Sequence, residues 1–302
     1  MTDKPLVSVL MTAYNREKYI AEAIESVITS TYQNWELIIV DDVSKDKTVE
    51  ISKSYEAKDK RIKVYINETN LGDYPNRNKA ASYAKGKYLK YLDSDDILYS
   101  HGLETMVMAI EKNPDAVLGL ALQKIKTKQP FPITVNPRSA YLTHFFDVGI
   151  LDMGPSGTIL KKEIFDIVGG FSGTNYIGDS ELWLKIAAKY PIIIFQPSLL
   201  FWRQHDEQEF VIGHTNHHYL ELSLSVIVKA LESPYCPLNE KEKKEIITYY
   251  RKTTTRGIIS LAIKEKSILK ASFLFRKHKL KIYDIFNAVF RINKKLTPKN
   301  NI

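Results

Sequence analysis

The spacing of apolar residues in the first hundred positions alternates between the period of strands and the period of helices. Four short runs are apolar and rich in β-branched residues, which is typical of strands buried on both faces. These runs occupy residues 6–14, 35–42, 61–67 and 87–93. Helices are predicted between them, at residues 16–30, 47–55 and 76–86. Strands that alternate with helices of this length predict an α/β fold with a parallel sheet and helices on both faces.

Residues beyond 150 continue this pattern and then change to helices alone. Residues 154–171 predict a turn, a short strand and a helix that ends at two glycines. Residues 176–190 predict another helix, and the chain after about residue 215 is predicted to be helical throughout. Residues 123–150 match neither a periodicity nor a motif. We therefore expect an α/β domain at residues 1–215 and a helical extension at residues 216–302.

Aspartates follow two of the predicted strands directly. Asp93, Asp95 and Asp96 fall within four positions after the fourth strand, and Asp41 and Asp42 end the second strand. Open parallel sheets bind ligands beyond the carboxyl ends of their strands, and the two acidic loops should converge there. Three neighbouring carboxylates repel one another at neutral pH, so their concentration indicates a bound cation.

No glycine-rich phosphate-binding motif accompanies these acids. The chain has neither a G-x-G-x-x-G motif after the first strand nor a G-x-x-x-x-G-K-[ST] motif. A divalent cation that bridges carboxylates to phosphate oxygens is an alternative way of holding a diphosphate. The competing interpretation is structural, because Asp96 or Ser100 could cap the next helix. Similarly, either Asp41 or Asp42 could serve only the turn that follows the second strand.

Composition and charge narrow the class of protein. The 302 residues are 44% hydrophobic and 26% charged, as in ordinary globular proteins, and the single cysteine, Cys236, excludes an internal disulfide. The net charge of +8 belongs to the end of the chain, because residues 221–302 hold 18 Lys and Arg against 7 Asp and Glu. Neither a signal peptide nor a membrane-spanning run is expected. We predict a cytoplasmic protein that can also lie peripherally on the inner face of the membrane.

Several stretches together resemble family 2 glycosyltransferases with the GT-A fold. They are VSVLMTAYN, WELIIVDDVSKDKT, NLGDYPNRNKAASYAKGKYLKYLDSDD, and VGGF followed by GDSELWLKIA. The resemblance implies a GT-A fold, in which a Rossmann-like, mostly parallel sheet is flanked by helices. It also implies a nucleotide-sugar donor, most often a UDP-sugar, and a Mn or Mg ion held by a DxD-type motif. Residues 1–115 would then bind the nucleotide sugar, and residues 116–215 would contribute the acceptor site and the chemistry.

The resemblance assigns the nucleotide pocket to the ends of the first two strands. Thr12, Ala13 and Tyr14 would line this pocket. Asp42, or its neighbour Asp41, would accept a hydrogen bond from the uracil ring.

Further donor contacts are implied for the third helix and the loop after the fourth strand. The residues concerned are Arg77, Asn78, Asp93, Ser94 and Asp95. Arg77 and Asn78 lie where the family contacts base or phosphate. Asp93 and Asp95 fill the two acidic places of the metal-binding motif, and Asp96 is a further candidate ligand.

The resemblance places the catalytic base in the second half of the chain. Asp179 stands at the start of a predicted helix, where an N-cap is an ordinary role for Asp. In the family the base lies here, usually as the Asp of a Glu-Asp pair, although Gly178 replaces that Glu in this chain. We expect Asp179 to be the base, with Glu181 as the fallback. Arg203 and His205 form an R-x-H arrangement that resembles a loop closing over the diphosphate in some relatives, where the His joins the metal.

The basic end of the chain predicts an anionic partner. From Lys264 to Lys299 there are 11 Lys and Arg against Glu265 and Asp284, and large apolar residues lie among them. A basic amphipathic helix rich in Phe suits the membrane interface. The alternative is a helix that packs on the catalytic domain and leaves a solvated basic face. Nucleic acid is not expected as a partner, because no recognition motif accompanies the charge.

The resemblance implies an inverting glycosyltransferase. It would move a sugar from a nucleoside-diphosphate sugar to a hydroxyl of a saccharide or lipid-linked saccharide, in the biosynthesis of cell-surface polysaccharides. Two other functions stay open, a nucleotide-sugar-binding protein without transferase activity and a sugar nucleotidyltransferase. The second would need a basic, glycine-rich loop after the first strand, where this chain has TAYNREKYI.

Overall fold

The predicted α/β pattern is present in the computed structural model, which describes residues 4–122, 127, 129–206, 208–290 and 296. These residues group into two units. The first comprises the residues up to Ala140 together with Ile150–Gln204. The second comprises Tyr141–Gly149 together with the residues from His205 onward.

The first unit begins with the predicted alternation of strands and helices. The strands are β1 (Val7–Ala13), β2 (Trp35–Asp41), β3 (Ile62–Ile66) and β4 (Tyr88–Tyr91). The helices between them are α1 (Ile20–Ile28), α2 (Thr48–Glu56) and α3 (Asp73–Ser82). Strand β1 pairs in parallel with both β2 and β4, and β2 pairs in parallel with β3. The carboxyl ends of these four strands therefore lie at one edge of the sheet.

The elements that follow include the remaining strands of the sheet. They are β5 (Ile97–Leu98), α4 (Gly102–Lys112), β6 (Leu118–Ala121), β7 (Ile133–Val135), α5 (Pro137–Phe146), β8 (Thr158–Lys161), α6 (Lys162–Val168), α7 (Gly178–Ala187), β9 (Ile192–Phe195) and β10 (Leu200–Phe201). Helix α5 begins in the first unit and ends in the second. The main sheet has eight described strands in the order β3-β2-β1-β4-β8-β6-β9-β7. Strand β8 enters antiparallel beside β4, and β5 and β10 form a separate pair.

Apolar side chains on both faces of the sheet form the core of this unit. Val9, Met11 and Leu37 on one face, and Leu10 and Val40 on the other, are fully buried, because the central strands have no solvated side. Helix α6 ends as predicted, with Gly169 in the left-handed conformation at φ +82°.

The capping role considered for Asp96 and Ser100 is wrong for the helix that follows them. Helix α4 begins at Gly102, and His101 occupies its N-cap position without a side-chain cap. Asp96 instead closes a turn, in which its amide donates to the carbonyl of Asp93 at 3.0 Å.

The second unit is helical, as predicted. Its helices are α8 (Glu209–Thr215), α9 (His218–Glu232), α10 (Glu240–Lys264), α11 (Ile268–Lys277) and α12 (Ile282–Phe290). Helix α10 begins with a capping box between Asn239 and Glu242. The core of the second unit contains the buried side chains of Leu224, Ile258 and Leu274. None of the described helices has the length and apolar composition needed to cross a membrane. The part of the predicted basic tail at residues 291–295 and 297–302, and residues 123–126 and 128 of the unassigned stretch, lie outside the described residues.

Candidate active site

Three carboxylates gather where β4 ends. Asp93, Asp95 and Asp96 each offer an oxygen atom, and these atoms lie within 4.8 Å of one another. The loop is fixed from another part of the chain, because the Asp93 amide donates to Oγ of Ser156 at 2.8 Å. Ser94, between the acids, is buried. The three acids are close enough to share one cation, and metal binding at this loop stays a prediction.

Asp96 is the most buried acid of this triad. Its Oδ1 accepts from the Arg203 amide at 3.1 Å, and its Oδ2 is buried. Burial, followed by the charges of Asp93 and Asp95, raises the pKa of Asp96 to about 8. Hard divalent cations prefer carboxylate oxygens, and a cation here would offset the repulsion. The residues present therefore fit a Mn or Mg ion.

Arginines supplied by other elements contact the triad. Arg77 of α3 donates from Nη1 to Oδ1 of Asp93 at 2.7 Å, and Arg16 donates from Nε to Oδ2 of Asp95 at 3.1 Å. Arg203 donates from Nε to the carbonyl of Asp95 at 2.9 Å. The sequence analysis assigned no role to Arg16, although its position just after β1 puts it at the predicted ligand site beyond the carboxyl ends of the strands. These guanidinium groups thus neutralise part of the negative charge of the triad.

A buried lysine lies beneath the same loop. Lys90 of β4 is fully buried and donates from Nζ to the carbonyls of Tyr91, at 2.5 Å, and Ser156. Burial lowers the pKa of Lys90 to about 7, although the charges of Asp93 and Asp96 oppose this shift. The sequence analysis gave Lys90 no role either. The feature that could have identified it is a single Lys within an otherwise apolar strand.

The acids that end β2 are engaged by neighbouring loops. Asp41 accepts from the amide and the hydroxyl of Ser44, at 2.8 and 2.5 Å. Asp42 accepts three hydrogen bonds of 2.8–2.9 Å, from the Asn67 side chain and the amides of Leu71 and Gly72. Asp41 retains more acceptor capacity than Asp42, which favours Asp41 as the partner of a nucleotide base.

The predicted nucleotide-pocket residues lie at the end of β1. Thr12 and Ala13 are the last residues of the strand that pair with β2, and Tyr14 beyond them is 47% exposed. The loop is tied to the one after β2, because the Asn15 amide donates to Oγ of Ser44 at 2.8 Å. In that second loop Val43 has φ +69°, which is strained for a β-branched residue. The strain lies beside Asp41 and Asp42, at the predicted base-binding loop.

Asp179 lies in the first turn of α7, beside Tyr74 of α3. Its Oδ1 accepts from the Ser180 amide at 2.7 Å, and Tyr74 hydrogen-bonds to its carboxylate. The residue as a whole is partly exposed. Surrounding protein atoms nevertheless desolvate the carboxylate and raise its pKa to about 7, against the two hydrogen bonds, which lower it. The N-cap interpretation is wrong, because Ile177 occupies that position.

Tyr74 gives a physical reason for the glycine before Asp179. A Cβ placed on Gly178 would lie 2.9 Å from Cδ2 of the Tyr74 ring. The ring therefore fills the space that the Glu of the resembling family would need. Nothing in the linear sequence marks Tyr74, since the contact joins residues about a hundred positions apart.

Two other candidate residues support the segment between α6 and α7. The Asn78 side-chain amide donates to the carbonyl of Phe171 at 2.9 Å and accepts from its amide at 3.0 Å. Glu181 accepts from the hydroxyls of Ser172 and Thr174, the latter at 3.2 Å. Asn78 holds the backbone of Phe171, and Glu181 is engaged by two side-chain hydroxyls of the same segment. These hydroxyl contacts make a direct role in chemistry less favourable for Glu181 than for Asp179.

The predicted metal ligand His205 belongs to the second unit. Its amide donates to Oε1 of Gln208 at 3.2 Å. The group of candidate metal ligands found in the part of the chain that the structure describes consists of Asp93, Asp95 and Asp96. A role for His205 at the metal stays a prediction.

Comparisons with known proteins identify the family of this chain. The family model "Glycosyl transferase family 2" matches residues 8–169. This match covers more than half of the chain, which therefore belongs to glycosyl transferase family 2, as the resemblance predicted. A relative from Escherichia coli, "UDP-Glc:alpha-D-GlcNAc-diphosphoundecaprenol beta-1,3-glucosyltransferase WfgD", is 43% identical over 111 residues, which are 37% of this chain and 43% of WfgD. Other curated relatives with 39–48% identity are likewise matched over 37–44% of their own length.

Solved structures show the same fold. The TarS 1-349 fragment from S. aureus in complex with UDP-GlcNAc has a TM-score of 0.66 at 20% identity, and the match covers 94% of this chain and 81% of that one. The mannosyltransferase PcManGT from Pyrobaculum calidifontis in complex with GDP-Man and Mn²⁺ has a TM-score of 0.64 at 15% identity, covering 97% and 89%. The prediction of a GT-A α/β fold with C-terminal helices is confirmed.

Proposed function

We propose that this protein transfers a sugar from a nucleoside-diphosphate sugar, with UDP as the carrier, to a hydroxyl group of a saccharide or lipid-linked saccharide. The name of WfgD gives UDP-Glc as donor and a diphosphoundecaprenol-linked sugar as acceptor, and one of the structural neighbours binds UDP-GlcNAc. These names support a UDP-sugar donor and a role in cell-surface polysaccharide biosynthesis.

One continuous group of contacts carries the proposal. Arg77 binds Asp93 of the acidic triad at 2.7 Å and Asp73 at 2.8 Å, and Tyr74, next to Asp73 on α3, hydrogen-bonds to Asp179. Burial opposes ionisation of Arg77, but the charges of Asp73 and Asp93 outweigh it and raise the pKa of the guanidinium further. The candidate diphosphate site and the candidate base thus both contact helix α3. Contacts to one helix would hold the two groups in fixed positions, which favours a displacement at a sugar carbon bound between them.

The chemistry follows from these positions. Asp179 takes the proton from the acceptor hydroxyl as its oxygen attacks the anomeric carbon, and the bond from that carbon to the diphosphate oxygen breaks on the opposite face. A single displacement of this kind inverts the anomeric configuration. A divalent cation held by Asp93, Asp95 and Asp96 would supply charge neutralisation for the departing diphosphate. Arg16 and Arg77 hold two of these carboxylates in place.

Calorimetry with UDP and GDP, each with and without MnCl₂, tests the donor site. We expect UDP to bind more tightly with Mn²⁺, and to stabilise the protein by about 2.7 kcal/mol at roughly a hundredfold excess over its dissociation constant. Release of UDP from UDP-sugars in the presence of saccharide acceptors then tests transfer. Folded protein that binds neither nucleotide under any condition would contradict the proposal. Binding without transfer to any acceptor would favour a nucleotide-sugar-binding protein instead.

The pH dependence of transfer tests the environment of Asp179. A base must be deprotonated, so kcat/KM should rise with pH and level off above a midpoint of about 7. The Tyr74→Phe variant loses a hydrogen bond that lowers the pKa of Asp179, so its midpoint should move to higher pH. The matched control is Tyr83→Phe, at the end of the same helix, which should leave the midpoint unchanged. An unchanged midpoint in Tyr74→Phe would show that Asp179 does not control the profile.

A further inference from the structure

Helix α12 has its polar residues inside and its large apolar residues outside. Asp284, Asn287 and Ala288 are buried, and the Asp284 carboxylate accepts from Nη2 of Arg251 at 2.7 Å. The exposed apolar side chains are Ile282 (83%), Phe286 (53%), Val289 (56%) and Phe290 (71%). Their spacing of four, three and one residues puts them on one face of the helix. This is the reverse of a helix that packs its apolar face on a protein core.

Helix α11 also leaves apolar side chains in solvent. Ala271 and Leu274 pack in the core of the second unit, whereas Ile268, Leu269 and Phe273 are 73%, 87% and 53% exposed. A contiguous apolar surface on a water-exposed helix is unfavourable unless something covers it.

The charge around these helices has one sign. The exposed basic residues between 264 and 290 are Lys264, Lys266, Lys270, Arg276, Lys277, Lys279 and Lys281. The two acids in this stretch are already paired within the unit, Asp284 with Arg251 and Glu265 with His217. Of the basic residues, Lys277 pairs with Glu221 of α9 at 2.6 Å. The other six border the apolar residues with positive charge.

We propose that α11 and α12 dock this protein on a lipid bilayer that contains anionic phospholipids. The Phe and Ile side chains would enter the boundary between headgroups and acyl chains, while Lys and Arg contact the lipid phosphates. Charge complementarity selects this occupant, because a second copy of the chain would bring the same positive charge to the interface. The inference does not depend on nucleotide binding, since it uses residues of the second unit alone.

Flotation of the full chain with phospholipid vesicles tests the docking surface. We expect binding to vesicles that contain phosphatidylglycerol, and little binding to vesicles of phosphatidylcholine alone. Replacing both Phe286 and Phe290 by Ser should lower the partition coefficient by roughly tenfold for each side chain. The matched control is Ile167→Ser, an equally exposed apolar residue of the first unit, which should bind as the wild type does.

Charge and fold are checked separately. Replacing Lys279 and Lys281 by Glu should also weaken binding, by about tenfold or more, whereas Lys60→Glu on the first unit should not. The circular dichroism spectrum and the melting temperature of each variant report whether the chain is folded. The proposal is overturned if wild type does not bind anionic vesicles, or if only the charge variants lose binding. It is also overturned if sedimentation shows a lipid-free dimer that the Phe286 and Phe290 substitutions dissociate.

Discussion

Replacing Asp179 by Asn is expected to lower kcat by at least about 10²–10⁴-fold, the usual contribution of a positioned proton acceptor, while UDP binding stays unchanged. The amide keeps the size of the carboxylate and can still accept from the Ser180 amide and from Tyr74. It cannot take up a proton. The loss should therefore appear in kcat, with the affinity for UDP that calorimetry measures left as in the wild type.

Glu181 provides the matched control on the same helix. Glu181→Gln should keep most of the turnover, because this carboxylate serves Ser172 and Thr174. If Glu181→Gln abolished turnover and Asp179→Asn did not, the base would be Glu181. If neither substitution lowered kcat, this turn of α7 would not contain the base.

The stability of the Asp179→Asn variant shows whether a loss of activity comes from misfolding. The raised pKa of Asp179 means that the folded protein keeps a proton that the unfolded chain has released between about pH 4 and pH 7. The wild type therefore loses stability as the pH rises through this window, and no further above it. The variant lacks this loss. The melting temperature of the variant minus that of the wild type should therefore increase up to about pH 7 and stay constant above it.

The sheet and its edge could be predicted because their signals are local. Strand and helix periods repeat within ten residues, and the rule that parallel strands end at one edge placed both acidic loops there. Partners from distant parts of the chain could not be predicted. Asn78 contacts Phe171 across 93 positions, and Arg203 contacts Asp95 across 108. These contacts depend on packing that no single stretch encodes.

The sequence also could not predict which face of helix α12 is buried. The apolar spacing of residues 282–290 is visible in the chain, but the same spacing suits packing on a protein core or exposure to a lipid surface. The partly buried ion pair between Asp284 and Arg251 fixes the polar face inward and leaves the apolar face exposed. The sequence also could not show whether a metal ion or arginine side chains neutralise the triad. The arginines that contact it come from separate elements of the chain.

Replacing Asp95 by Ala separates the two ways in which the acidic triad can be neutralised. Asp95 offers one of the three clustered carboxylate oxygens and also accepts from Nε of Arg16 at 3.1 Å. If the triad holds Mn²⁺, the variant should lose the increase in UDP affinity that Mn²⁺ gives the wild type. The loss should exceed the roughly 10–100-fold that removal of an outer-shell partner typically costs a metal site. Without metal, the two proteins should then bind UDP about equally.

If arginines alone neutralise the triad, Asp95→Ala should instead bind UDP more tightly than the wild type does. Arg16 would lose its carboxylate in Asp95→Ala and could bind the UDP phosphates, so affinity without metal would rise. Wild-type binding would then show no dependence on Mn²⁺. Asp115→Ala, which removes an exposed acid three residues after the end of α4, should change neither quantity and controls for net charge. Calorimetry of the three proteins, each with and without Mn²⁺, distinguishes the outcomes by direction, because the metal model predicts weaker binding and the arginine model predicts tighter binding.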